Sequence, residues 1–423
     1  MKRKWAVRVM MVYILFGLAM FAYLFYLADT AIPETLRGTE ADPATFLNSR
    51  ELMLSEEYSK IRNVMFFLSV PYEWLFYFLI LLFGVSAAFE RWAGMASRLF
   101  ALRTAVYLLW LSIASFIAMF PFGFLSYRLS KAYQISTQSF SAWMKDEIID
   151  FWVGFGTLFI VVFVLYSLMR RYKKKWWLAA WILSIPFSIF MMFIQPVLID
   201  PLYNDFYPLK DKQLESKILM LAGKADIPAE HVYEVDMSKK TNSLNAYVTG
   251  VGANSRIVLW DTTLDRLDDE EILFIMAHEM AHYVEKHIYI GIAGYILLSL
   301  GGLWITAKWM ERWISKSGKS WGVESVGSIS SLPVFLLLTS ILLFAASPLT
   351  NAVSRYQEAR ADKYALEMTR DKDAAIRTFQ SLTKAGLSQV NPPYLVKVFR
   401  YGHPTMLERI RAAEEFEAEV NEE

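Results

Sequence analysis

His278-Glu279-Met280-Ala281-His282 sets two imidazoles four residues apart, with a carboxylate beside the first. A helix turns by about 100° per residue, so this pair lies only about 40° apart and both rings reach one metal ion. Glu279 points to the side, where it touches a metal-bound water without being a ligand. A catalytic zinc ion takes three protein ligands and keeps one position open, so a third donor must come from elsewhere in the chain. His287 is nearest, but on a continuous helix it falls about 180° from His278 and is expected to face away. Farther on, Asn351 to Asp362 has a helix-favouring composition that puts Glu358 and Asp362 on one face. Glu358 is the expected third ligand, and Asp362 the group that accepts the second N–H of a ligating histidine.

These residues must be positioned by membrane helices. The 423 residues are 55% hydrophobic and only 20% charged, and several apolar runs are long enough to cross a hydrocarbon core, which takes roughly 20 residues. Spans are expected at Ala6 to Leu27, Val64 to Phe89, Ala101 to Phe124, Phe151 to Met169, Trp176 to Ile199, Ile288 to Ala307 and Leu332 to Asn351. The expected fold class is therefore mainly α, with seven transmembrane helices and a small α+β domain carrying the metal motif at one membrane face. The expected division is 1–199 (spans one to five), 200–287 (soluble catalytic part), 288–351 (spans six and seven) and 352–423 (C-terminal catalytic part). With no cysteines, thiolate zinc sites and disulfides are excluded. A net charge of +1 gives no reason to expect nucleic acid.

Within 200–287, Lys210 to Lys224 reads as a helix and His231 to Met237 as a strand. Asn245 to Gly250 and Arg256 to Trp260 read as two more strands, separated by Gly252-Ala253-Asn254-Ser255. Asp268 to Glu271 places negative charge at the start of the helix that carries His278 and His282, and this helix is expected to continue into the sixth span. The sixth and seventh spans form a pair, so the end of the seventh returns Glu358 to the face that the sixth left.

The ordered set Asn245-Ala246-Tyr247, His278 to His282, Ser354-Arg355 with Glu358 and Ala361-Asp362, and His403-Pro404 resembles the type I CAAX prenyl endopeptidases. Asp200-Pro201-Leu202-Tyr203-Asn204 adds to the likeness. The resemblance implies a seven-span zinc metalloprotease whose membrane helices enclose a chamber, with one zinc ion held by His278, His282 and Glu358. Glu279 would be general base and proton donor, and His403 would stabilise the oxyanion. Asn245, Ala246 and Tyr247 would belong to an edge strand that pairs with an extended substrate.

The expected activity is hydrolysis of lipidated or apolar peptides. Alternatives are a membrane-protein quality-control protease with the same site, and a transporter or lipid-binding scaffold with a structural metal. Glu73 lies inside an apolar span, which marks a cavity or a polar partner. Basic residues cluster before span one and in the loops after spans two, four and six, while the loop after span one is acidic. The positive-inside rule then makes the N-terminus cytoplasmic and the catalytic part extracytoplasmic. Expected partners are a peptide or protein substrate and the lipid bilayer.

Overall fold

The computed structural model describes residues 2–229, 231–249 and 256–421. The strand-linking segment Gly252-Ala253-Asn254-Ser255 lies outside the described residues. In chain order the helices are α1 (Lys2–Ala22), α2 (Pro43–Phe46), α3 (Ser49–Leu82), α4 (Val85–Ala96), α5 (Phe100–Ala132), α6 (Phe140–Arg171) and α7 (Trp176–Ile194). After these come α8 (Lys212–Lys224), α9 (Asp261–Leu264), α10 (Asp269–Val284), α11 (His287–Trp321), α12 (Leu332–Thr369), α13 (Lys372–Gly386), α14 (Tyr394–Arg400) and α15 (Met406–Asn421). Seven helical segments among the described residues are long and apolar enough to cross a membrane, and they include α1, α3, α5, α6, α7, α11 and α12. Large apolar side chains such as Leu15, Ile117, Leu297 and Leu343 stand exposed along them, as lipid-facing residues do.

Most of the spanning helices run past the hydropathy limits, and two connections differ from expectation. The expected second span, Val64 to Phe89, is cut at Gly84, whose left-handed backbone (φ +74°) ends α3 and starts α4 in a new direction. The helix carrying His278 does not continue into the sixth span. It stops at Val284, and Lys286 (φ 57°, ψ 34°) redirects the chain before α11 begins at His287. By contrast, α12 is a single helix of 38 residues running from the seventh span through Glu358 and Asp362, with Pro348 inside it. The border drawn at residues 351 and 352 falls within that helix.

A four-stranded sheet lies in the soluble part, in the order β1 (Phe206–Pro208), β2 (Val232–Val235), β4 (Arg256–Trp260), β3 (Ala246–Thr249). β2 runs parallel to β4, and β3 runs antiparallel to it with Ala246 opposite Leu259. β3 is thus an edge strand. Ile257, Leu259, Phe274, Met280 and Phe379 share one core that locks the sheet to α10 and α13. Asp268 caps α10 in a capping box with Glu271, satisfying two orphan donors at its start.

The two ends of the helical bundle differ in charge. At the catalytic end, Asn391 Nδ2 donates to Ala31 O (2.7 Å) in the loop after the first span, and Lys240 pairs with Asp146 (2.7 Å). At the other end the basic loops meet. There the Arg170 guanidinium lies 3.7 Å over Phe100, and Ser86 Oγ donates to Ser330 O at 2.8 Å.

Candidate metal centre and substrate cleft

The capped, buried helix α10 fixes His278 and His282, and α12 crosses it to deliver Glu358. His278 Nε2 lies 3.1 Å from Glu358 Oε2, His282 Nε2 lies 3.6 Å from Glu358 Oε1, and the two Nε2 atoms are 3.3 Å apart. One donor atom from each of the three residues falls within 4.8 Å of the others, a spacing that suits a single metal ion. Two imidazoles and a carboxylate are the donor set of an open catalytic site. His278 Nδ1 lies 2.8 Å from Asp362 Oδ1, so the carboxylate fixes which ring nitrogen faces Glu358. Burial opposes charge on His278, but Asp362 and Glu358 outweigh it and push its pKa up to about 9. A metal ion therefore displaces a proton when it binds.

Glu279 faces a cavity of about 410 Å³ that is also lined by His278, Asn245, Ala246 and His403. Burial pushes the Glu279 carboxyl up, with the two histidines pulling against it. His403 stands on the open side of the cleft with Nε2 3.2 Å from Glu358 Oε2. Asn245 is held through its backbone, its N–H donating to Thr263 Oγ1 (2.9 Å) and its carbonyl accepting from the same hydroxyl (2.8 Å). Ala246 is buried and faces the cavity. Tyr247 does not: strand alternation turns it to the other face, into a separate hollow with Asp200, Tyr233 and Arg256.

Residues 208–417 match the model of peptidase family M48, and residues 22–205 match the CAAX prenyl protease N-terminal region of five membrane helices. A Bacillus subtilis protein named as the uncharacterized metalloprotease YhfN is 51% identical over 98% of this chain and 97% of its own length. The chain belongs to peptidase family M48. This M48 member is a membrane metalloendopeptidase. It is also 34% identical to an Arabidopsis thaliana CAAX prenyl protease 1 homologue, over 55% of the chain and 54% of that protein. Its fold is that of the crystal structure of S. mikatae Ste24p, with a TM-score of 0.78 at 23% identity, over 95% of this chain and 98% of that one.

Two groups around the M48 site were missed by the sequence reading. His287, expected to face away, is buried against His282 with the two Nδ1 atoms 2.9 Å apart. The turn at Lys286 brings it back, because rotation angles counted along a continuous helix no longer apply. His287 Nε2 donates to Glu285 Oε2 (3.0 Å), and Arg360 grips the same carboxylate at 2.6 and 2.9 Å. With His282 Nδ1–H donating to His287, its Nε2 is left bare toward Glu358. On the other side, Arg409 donates to Asp362 at 2.8 and 2.6 Å, both residues buried. Arg409 also lies 4.3 Å over the Phe379 ring. Each histidine of the motif is thus backed by its own chain of partners. Asp362 was read from its four-residue spacing to Glu358, whereas Arg409 and His287 carry no spacing signal and are brought in by packing and by the turn at Lys286.

Proposed function

We propose that this protein is a CAAX-protease-like zinc endopeptidase that cuts lipidated or apolar peptides at the extracytoplasmic face of a membrane. The observation that carries the reading is the convergence of His278, His282 and Glu358 from two helices beside a cavity that Glu279 faces. Those three residues would hold one zinc ion, and the chemistry that zinc supplies when bound is Lewis-acid polarisation of the scissile carbonyl and of a water. Glu279 takes the proton from the attacking water and returns it to the departing amine. Its raised pKa suits both tasks. His403, on the open side, donates to the oxygen that gains charge. The free edge of β3 offers main-chain groups to an extended substrate, with Asn245 and Ala246 beside the cavity and Tyr247 contributing through its backbone. Residues 200–287 and 352–423 act together as the catalytic part. The orientation rests on the basic loops gathering at the end opposite the site.

The test is metal analysis together with cleavage of a quenched apolar peptide. Wild type is expected to bind one zinc ion and cut. Glu279→Gln is expected to keep zinc and lose about 10²–10⁴ in kcat. Unchanged cleavage by that variant removes Glu279 from the mechanism, and absence of zinc from wild type removes the whole reading. Because the chain has no native cysteine, Lys210→Cys reports sidedness cleanly, and labelling only from the cytoplasm overturns the orientation.

A further inference from the structure

The end of the helical bundle opposite the metal centre holds arginines that its carboxylates do not match. From Val85 to Arg103 the sequence sets Arg91, Arg98 and Arg103 against one acid, Glu90. There α4 and the start of α5 run side by side. The Arg103 guanidinium lies across Gly94, where a Cβ would sit 3.9 Å away, and the Trp92 and Trp110 rings are 5.4 Å apart. Arg170, near the end of α6, lies over the Phe100 ring at 3.7 Å, and the charges that act on it are Arg103 and Glu90. Glu90 does not satisfy either arginine. It stands 3.8 Å from Arg103, too far for a hydrogen bond, and its other oxygen accepts the Ser330 N–H (3.3 Å). Among the described residues neither the Arg103 nor the Arg170 guanidinium donates a hydrogen bond to the protein, and Arg91, Arg98, Arg170 and Arg171 form no ion pair. A ring and a bare stretch of backbone thus hold two guanidiniums in place with their N–H groups unused.

What adjoins this pair is apolar and exposed. Leu99 and Leu102 flank Arg103 and are both more than half exposed, at 66% and 52%. The three- and four-residue steps of α5 put Val106 and Trp110 on the same face as Arg103, and Trp110 lies about 10 Å farther along the axis. Trp92 and Trp110 are exposed too, as aromatic side chains at a membrane boundary are. A free anion would meet the arginines and leave that apolar face bare. A phospholipid covers both, because guanidinium forks match a phosphate in shape and charge while an acyl chain runs along the helix face. Arg91, Arg98 and Arg171 add further unpaired positive charge, which favours a headgroup of net negative charge over a zwitterionic one. We propose that Arg103 and Arg170 form a binding site for the phosphate of an anionic phospholipid whose acyl chain lies along the α5 face of Val106 and Trp110. The site is separate from the metal centre and does not depend on its chemistry.

The experiment titrates the full-length protein in detergent with phosphatidylglycerol and with phosphatidylcholine, and counts bound lipid by native mass spectrometry. Wild type is expected to hold phosphatidylglycerol about ten- to thirtyfold more tightly, the effect of two basic side chains at a lipid surface. Combining Arg103→Gln with Arg170→Gln should bring that ratio toward one. Combining Lys173→Gln with Lys174→Gln, which removes the same charge just past α6, should leave it unchanged. An equal loss in the lysine pair overturns the site and assigns the preference to net charge. Equal affinity of wild type for the two lipids overturns the proposal without recourse to any variant that folds poorly. Phosphatidylglycerol should also raise the Tm of wild type and not that of the arginine pair, and a rise shared by both overturns the assignment to these residues. Displacement of the bound lipid from wild type by millimolar inorganic phosphate overturns it in favour of a free anion.

Discussion

The two helices that build the metal centre join the membrane in opposite ways. α12 passes from the seventh span to Glu358 and Asp362 without a break, so the position of these carboxylates is set by the span itself. α10 is cut from the sixth span at Lys286 and takes its position from the soluble core, through Phe274, Met280 and the capping box at Asp268. Continuity suits α12 because its apolar stretch and its polar end share one axis. At Lys286 a non-glycine residue occupies the left-handed region, at a cost of roughly 1–2 kcal/mol. The contacts made on either side of it, Arg360 to Glu285 and His287 to His282, offset that cost. One carboxylate is thus held by the membrane, while two histidines are held by the core and linked to the membrane through a hydrogen-bonded joint.

The sharpest way to break this contrast is at the continuous side. Glu358→Gln should lose stoichiometric zinc and with it essentially all peptide cleavage, because two imidazoles alone do not complete a catalytic site. Zinc retained at wild-type affinity would show that a different donor serves. Next in size are the partners that orient the histidines. Asp362→Asn and His287→Ala should each weaken zinc binding by about 10–100-fold in competition with a chelator. A normal affinity for His287→Ala would show that the joint at Lys286 serves the chain path alone. A smaller effect concerns pH. Since burial raises the Glu279 carboxyl, which must be ionised to accept a proton, kcat/KM should fall on the acid side with an apparent pKa above the ordinary 4.5. A limb at or below that value would mean the cleft stays wet in the complex. Smallest is Lys286→Gly, which suits the left-handed backbone and should change unfolding stability by no more than about 1 kcal/mol, with activity kept. A large loss of activity would show that the lysine side chain itself takes part.

Much of the centre was legible because its key residues obey helix spacing. His278, Glu279 and His282 lie within one turn, and Glu358 with Asp362 repeats the same four-residue step on a segment that the span pairing returns to the same face. β3 was legible as a strand from its pattern and as an edge strand from the family resemblance, although the short β1 was not foreseen. Strand alternation removed Tyr247 from the cleft, and two other failures each trace to a single backbone angle. Lys286 carries no turn signature, so α10 and α11 read as one helix and His287 was assigned to the wrong side. Gly84 similarly divided what hydropathy had joined.

By itself the sequence determined the seven apolar segments, the exclusion of thiolate chemistry, and the types and spacings of the groups that reach the metal. These follow from local rules: hydrophobic length, residue chemistry and helix periodicity. Only the tertiary structure decided that Arg409 backs Asp362, that His287 backs His282, and that Arg62 and Arg400 line the catalytic cavity together. Those contacts join residues as much as hundreds of positions apart, on elements whose relative placement depends on packing. No periodicity along the chain records them.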